Sequence, residues 1–346
     1  METRAVSSTS GLVVTSIAAP TSAMRALANG ARAAGTSCYC IGDAKTPSDW
    51  RLPGFRFVSL EEQRHGGLAL GRALPVGHYA RKNLGYLIAI AEGAECIVET
   101  DDDNHPLPRF WRDAPRWVSG RQVSRDGWVN AYAFFTASEV WPRGLPLEAI
   151  AAAGVAGART AMVDSTDCPV QQGLANGDTD VDAVYRMTRG HLVEFEDRAP
   201  LMLAPGAWCP FNSQNTRWWR PAFEMLYLPS YCSFRMTDIW RSFVVQACLW
   251  ANGWRLVFLP ASVHQERNPH NLLRDFEAEI PGYLNNQRIV EALSGLDLGS
   301  GENAIRDNLR WCYGALVGMD VLGAAELDLL ELWFDDLDLC FAGGGL

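Results

Sequence analysis

The chain has no surplus of basic residues. Its 346 residues include 30 Lys and Arg against 40 Asp and Glu, a formal net charge of −10. Without a basic stripe, that balance argues against a nucleic-acid partner, because a phosphate backbone is held by a cationic footprint. Nor is there an apolar run of the roughly 20 residues needed to span a bilayer. No transmembrane segment is expected, so a membrane-linked substrate would be visited rather than lived beside. The opening residues, Met1 to Ser10, lack the basic-then-apolar layout of a signal peptide. Paired cysteine patterns are missing too. The nine cysteines are odd in number and scattered, and Cys38-x-Cys40 has no second half for a zinc site. Reduced, largely buried thiols and a cytoplasmic setting are the expectation. No G-x-G-x-x-G turn is present, which removes the dinucleotide fingerprint. There are no internal repeats and no low-complexity tract.

What is present is an ordinary globular composition, 48% apolar and 20% charged. The organising stretch is Ile97-Val98-Glu99-Thr100-Asp101-Asp102-Asp103-Asn104-His105. Its apolar lead suits a buried strand, whose carboxyl end in an open α/β sheet faces the ligand crevice. Three crowded carboxylates repel one another, and a hard cation such as Mg²⁺ or Mn²⁺ removes that cost while holding a substrate's phosphates. A solvated acidic turn is the plainer alternative.

Upstream, Leu12–Ile17 reads as a first strand closed by Ala18-Ala19-Pro20-Thr21. A helix over roughly 21–34 and a second strand, Ser37–Ile41, complete a βαβ unit. Asp43, after that strand, is placed to hydrogen-bond a base or ribose. Phe55–Leu60 reads as a third strand and 65–78 as a loop. A helix follows over Tyr79–Ala91, with Leu84, Leu87, Ile88 and Ala91 forming its apolar stripe. Arg81, Lys82 and Asn83 sit in its first turns, where cations oppose the helix dipole unless an anion binds nearby. A pyrophosphate would suit; solvated surface bases are the alternative.

Downstream, Trp117–Gly120 and Val129–Phe135 read as strands. Gln171–Asp182 reads as a turn leading to a capped helix from Val181. Cys209–Thr216 is a polar loop whose amides and hydroxyls suit sugar hydroxyls. Asp238 reads as the N-cap of a helix through Trp250, with its carboxylate aimed into a crevice. Leu256–Pro260 is a last strand, followed by His264, a candidate ligand or an ordinary histidine. From residue 270 the pattern turns to amphipathic helices. Leu329, Leu330, Leu332, Trp333 and Phe334 offer more apolar bulk than one helical stripe can hide. A homodimer through this segment is therefore expected, with a lid or a passive cap as alternatives.

These blocks, in this order, resemble the STELLO-type glycosyltransferases. The motifs are Ser16-x-x-Ala19-Pro20-Thr21, Gly42-Asp43-x-Lys45-Thr46-Pro47-x-Asp49-Trp50, Arg81-Lys82-Asn83-x-Gly85-Tyr86-Leu87 and the Asp triplet. They continue with Trp141-Pro142-Arg143-Gly144, Gln171-Gln172-Gly173-Leu174, Gly177-Asp178-x-Asp180-Val181-Asp182, Pro210–Thr216 and Thr237-Asp238-Ile239-Trp240-Arg241. The resemblance covers roughly residues 11–270, and the helices after about 290 lie outside it. A fainter likeness connects the blocks to the reversibly glycosylated polypeptides, which act as UDP-arabinopyranose mutases.

Both families imply an α/β, GT-A-type fold, a nucleotide-binding mixed sheet flanked by helices. The catalytic domain would span 1–290 and a helical extension 291–346. The activity implied is transfer of a sugar from a nucleotide-sugar donor, most simply a UDP-sugar, to a hydroxyl on a glycan, lipid-linked or small-molecule acceptor. Asp101 and Asp103 would hold Mn²⁺ or Mg²⁺, with His264 as third ligand and Asp102 and Asn83 beside the donor. Lys82 would add charge near the phosphates. Ser16, Ala19, Pro20, Thr21 and Asp43 would line the base and ribose pocket, while Asp180, Asn212 and Asn215 would contact the sugar. Arg241 falls on the donor side, and Asp238 would be the general base of an inverting reaction. A nucleotide-sugar mutase, or a non-catalytic assembly partner on the same fold, is the competing reading.

Overall fold

The computed structural model describes residues 10–112, 114–267 and 271–343. Residues 1–9, and with them nearly all of the segment tested for a signal peptide, lie outside the described residues.

The chain opens with strand β1 (Ser10–Thr15), helix α1 (Ser22–Ala34) and strand β2 (Ser37–Ile41), the anticipated βαβ unit. Thr21 caps α1 by accepting from the Met24 amide at 3.1 Å, and Gly35 ends it at φ 69°, where a side chain would be strained. β3 (Phe55–Val58) precedes three helices, α2 (Leu60–His65), α3 (Ala69–Ala73) and α4 (Lys82–Ala91), so the expected 65–78 loop holds one short helix. Next come β4 (Cys96–Thr100), β5 (Asn104–Pro106), β6 (Trp117–Ser124), β7 (Gly127–Trp128), β8 (Arg159–Asp167) and β9 (Val170–Gly177). Helix α5 (Ala183–Thr188) leads to β10 (Leu201–Leu203), β11 (Ala207–Trp208) and β12 (Asn215–Trp219). Helix α6 (Thr237–Ala251) and β13 (Leu256–Gln265) precede the final helices α7 (Leu272–Ser294), α8 (Ile305–Gly318) and α9 (Glu326–Phe341).

Eleven of the described strands form one mixed sheet in the order β3-β2-β1-β4-β12-β9-β13-β10-β6-β8, with β5 paired to β13. β1, β2, β3 and β4 run parallel, and β12 turns antiparallel against β4. Apolar side chains cover both faces, with α1 on one and α4 and α6 on the other. This mixed sheet flanked by helices agrees with the GT-A-type architecture. Among the described residues no helix is long and apolar enough to cross a membrane. All nine cysteines are free thiols and eight are buried.

Several local expectations are corrected. Residues 129–135 form no strand. A 3₁₀ turn spans Ala131–Phe134, and Tyr132, Phe134 and Phe135 are all buried, which is not the alternation of a half-exposed strand. Gln171–Gly177, expected as a turn, is instead the interior of β9. Backbone groups meet part of the polar demand of its glutamines: Gln171 Nε2 donates to the Pro115 carbonyl at 2.8 Å, and Gln172 Oε1 accepts the Asn212 amide at 3.0 Å, while Gln171 Oε1 is buried without a partner among the described residues. The helix after it begins at Ala183 with Asp182 as cap. α4 shows no simple stripe, since Lys82 through Ile90 are all buried between the sheet and α9.

Two features hold this arrangement. A Cβ on Gly85 would stand 2.4 Å from Val13 Cγ1, so α4 approaches the sheet only because residue 85 has no side chain. On β4, Glu99 is fully buried and accepts from Arg241 of α6 at 2.6 and 3.2 Å, from Trp218 Nε1 at 2.8 Å and from the Tyr86 hydroxyl.

The carboxyl-terminal helices share the core of the sheet. The residue-290 boundary falls within α7. Leu329, Leu330, Trp333 and Phe334 are at most 4% exposed and belong to the main apolar cluster. The surplus of apolar surface that motivated a homodimer is therefore used inside the chain. Asp336 of α9 accepts the Ala69 and Leu70 amides at 2.9 and 2.8 Å, tying α9 to the start of α3.

Arg241→Met leaves a buried carboxylate with no countercharge, held only by the Trp218 and Tyr86 donors. The expected loss is about 3–5 kcal/mol in urea unfolding, the scale for breaking one side of a buried ion pair. A loss below about 1 kcal/mol would mean that Glu99 relaxes without its partner.

Candidate active site

The carboxyl ends of β1, β2 and β4 open onto a cleft of about 420 Å³, the place where open α/β sheets receive ligands. Asp101, Asp102 and Asp103 all line it. Each has its own anchor. Asp101 accepts from the Tyr79 hydroxyl at 2.9 Å and Lys82 Nζ at 3.4 Å. Asp102 accepts from Ser16 Oγ. Asp103 accepts from Gln265 Nε2 at 3.1 Å. Burial raises all three carboxyls above the ordinary range. For Asp103 the neighbouring Asp101 charge adds to burial, and the group reaches about 7.

A second centre stands in the same cleft. Arg143 Nε and Nη2 donate to Asp180 at 2.8 Å each, and Nη1 and Nη2 donate to Asp238 at 3.1 and 2.9 Å. One buried guanidinium thus bridges two carboxylates, the fork geometry that arginine supplies and lysine does not. Burial alone would raise Asp180, but Arg143 outweighs it and holds that carboxyl well below the usual range. Asp238 does not cap α6. The helix starts at Thr237, with Met236 as its N-cap residue, after a 3₁₀ turn over Phe234–Met236. Asp238 Oδ2 instead accepts the Ser213 amide at 3.2 Å. Ser213 Oγ also meets the Tyr79 hydroxyl at 2.7 Å, so hydrogen bonds connect the Asp238 centre to Asp101.

The cleft brings together Ser16, Asp43, the Asp triplet, Asp180 and Asp238. Asp43 is largely engaged, accepting the Gly77 and His78 amides at 2.9 and 3.0 Å. Ala19, Pro20 and Thr21 stand outside the lining; Thr21 caps α1 and donates to the Asp102 carbonyl. Lys82 lies beneath the cleft. Its ammonium donates to the Tyr79 hydroxyl at 2.7 Å and to the Thr100 and Ser213 carbonyls at 2.9 and 3.1 Å. Asn83 clamps the Leu228 backbone, Asn215 bonds Leu174 and Ser262, and Arg241 serves Glu99. Asn212 is buried behind Asp180, donating to it at 2.8 Å. His264 is not brought to the triplet. Strand alternation turns it away while Gln265 faces Asp103, and its Nδ1 lies 3.9 Å from Glu194.

Residues that went unassigned in sequence are Arg143, Tyr79, Ser213, Gln265, Arg235 and Arg267, all in the cleft lining. Arg143 had a signal, the Trp-Pro-Arg-Gly block; Gln265 had only its adjacency to His264. Among the described residues, no three His, Cys, Asp or Glu side chains are grouped to hold a metal ion.

A family model described as STELLO glycosyltransferases matches residues 235–342. The Arabidopsis thaliana protein named "Probable glycosyltransferase STELLO2" is 32% identical over 250 residues, 67% of this chain and 32% of that one. "Probable glycosyltransferase STELLO1" of the same plant is 31% identical over 259 residues, with the same shares. The chain is of the STELLO type. It spans about a third of the length of these curated relatives. The STELLO match takes in α6 through α9, so the carboxyl-terminal helices, placed outside the resemblance on sequence, lie within it. A solved structure named "Crystal Structure of a Mycobacterial Protein" aligns at TM-score 0.43 and 12% identity, over 81% of this chain and 74% of that one. It is too distant to carry an argument.

Arg143→Met strands Asp180 and Asp238 together in a buried wall and is expected to cost about 3–5 kcal/mol. Arg143→Lys keeps the charge but cannot fork to both carboxylates, and should fall between that variant and the natural protein. Urea midpoints give the order. Equal stability of all three would show that the bridge contributes nothing to the fold.

Proposed function

We propose that this STELLO-type chain is a glycosyltransferase that moves a sugar from a nucleotide-sugar donor, a UDP-sugar, to an acceptor hydroxyl with inversion. The observation that carries the reading is the cleft itself. It sets a crowded, half-buried carboxylate triplet at the end of a parallel strand beside a further, buried carboxylate, Asp238, oriented by arginine.

The triplet is chemically suited to Mn²⁺ or Mg²⁺, since oxygen donors are what hard cations take and repulsion among the three carboxyls would fall on binding. Asp101 and Asp103 would hold the ion, and waters and diphosphate oxygens would complete its shell in place of a third protein ligand. When bound, such an ion stabilises the negative charge of the departing nucleoside diphosphate. The chain's own groups orient. Ser16 and Thr21 fix Asp102 by its side chain and its carbonyl. Tyr79 and Lys82 fix Asp101 from below. Asp238 Oδ2 is held by Ser213 and Arg143, whereas Oδ1 has only Arg143 Nη1 as a partner among the described residues. Oδ1 is therefore the atom that would take the proton of the acceptor hydroxyl. A base so placed contributes about 10²–10⁴-fold.

Calorimetry of UDP binding tests the donor and metal parts. Affinity is expected to be much greater with Mn²⁺ than with EDTA, and equal affinity in both would sink the metal assignment. Asp238→Asn should leave UDP affinity in place and lower transfer to hydroxyl acceptors by about 10²–10⁴-fold. Full activity in that variant would move the base elsewhere. Isomerised donor formed without any acceptor would replace the transferase reading with a mutase.

A further inference from the structure

The cleft also carries a cationic wall made by Arg143, Arg235 and Arg267. Arg143 is committed to its two carboxylates. The other two are held differently. Arg235 Nε and Nη2 both donate to a single oxygen of Glu279, at 3.0 and 2.8 Å. The second Glu279 oxygen is taken by the Ala183 amide at 2.8 Å and the Tyr283 hydroxyl at 2.7 Å. Arg235 Nη1 makes no hydrogen bond among the described residues. Arg267 Nη2 reaches Asp275 at 3.3 Å.

Asp275 and Glu279 are four residues apart on α7, so they lie on one face of that helix. That face holds both arginines against the cleft. Their side chains are only 10% and 12% exposed, so water screens them little. Burial, reinforced by the charges of Arg186 and Arg235, lowers Arg267 to about 10. Each guanidinium has a carboxylate of its own, and both also feel the charge of Asp180, but Arg235 Nη1 is left over in the cleft lining, where a small anion can take it while lying beside Arg267. A phosphate group fits best, because it carries about −1.5 to −2 charge near neutral pH and matches the guanidinium fork.

We infer that Arg235 and Arg267 form an anion subsite that takes a phosphate-class group carried by a substrate of this cleft. The identity of that substrate rests on the transferase reading; the subsite itself does not. The phosphate belongs either to the donor's diphosphate or to the acceptor, and the same chemistry serves both.

The test is calorimetry of inorganic phosphate binding to the full chain at low salt, for the natural protein, Arg235→Gln, Arg235→Lys and Arg267→Gln. Circular dichroism and urea midpoints establish which variants are folded. Phosphate is expected to bind the natural protein and to bind each Gln variant about tenfold more weakly, the scale of one charged hydrogen bond. Arg235→Lys, which keeps the charge and loses the fork, should fall between. A second arm repeats the UDP titration with Mn²⁺ under saturating phosphate. Competition assigns the subsite to the donor's diphosphate, and simultaneous binding assigns it to an acceptor phosphate; either supports the subsite. Phosphate binding that persists unchanged in both folded Gln variants, or none to the natural protein, overturns it. Failure of the transferase reading would look different, as loss of UDP binding with phosphate binding intact.

Discussion

The buried pair of Glu99 and Arg241 is the constraint on which the cleft depends. Glu99 belongs to β4, which ends in the Asp triplet, and Arg241 lies one turn into α6, which starts beside Asp238. Joining them ties the strand that ends in the triplet to the helix that carries Asp238. An isolated buried charge would be prohibitive, so the pair is closed by Trp218, Tyr86 and the Leu226 carbonyl. Apolar replacements could match its stability. They would not set direction, which is what an oriented set of hydrogen bonds supplies here.

Arg143 repeats the same device at the cleft surface. It joins a loop residue, Asp180 after β9 and Asp238 on α6. Its third contact, to the Arg235 carbonyl, reaches the turn that carries the cationic wall. The ion pairs that hold the cleft together are therefore made by side chains that also line it.

Much of the frame was legible in the sequence because it obeys simple periodicities. The βαβ start follows from apolar runs, a capped alanine-rich helix and a glycine stop. The triplet was visible as carboxylates at a strand end. Lys82 reads in sequence as a cation near a pyrophosphate or in solvent; in the fold it is buried against Asp101 and the Thr100 and Ser213 carbonyls, partners that no local pattern reveals. His264 and Gln265 differ by one residue, and in a strand one residue decides the face. Only the pairing of Gln265 with Asn104, and of His264 with His105, settles that choice. β9 is hard to read because its glutamines look like loop residues until the backbone groups that Gln171 Nε2 and Gln172 bond are in place. The apolar bulk of α9 pointed to a partner, and the partner is α4, far away along the chain.

That last contact has a bearing on synthesis. α4 has no face meant for water, yet it emerges from the ribosome long before residues 326–341 exist to cover it. At about 5–20 residues per second, the wait is on the order of tens of seconds. During that interval the sheet can assemble, but its outer helix stays bare and adhesive. The nascent chain therefore has a window of aggregation risk that only its final helix closes, and chaperone dependence should track the arrival of α9 rather than the completion of the sheet.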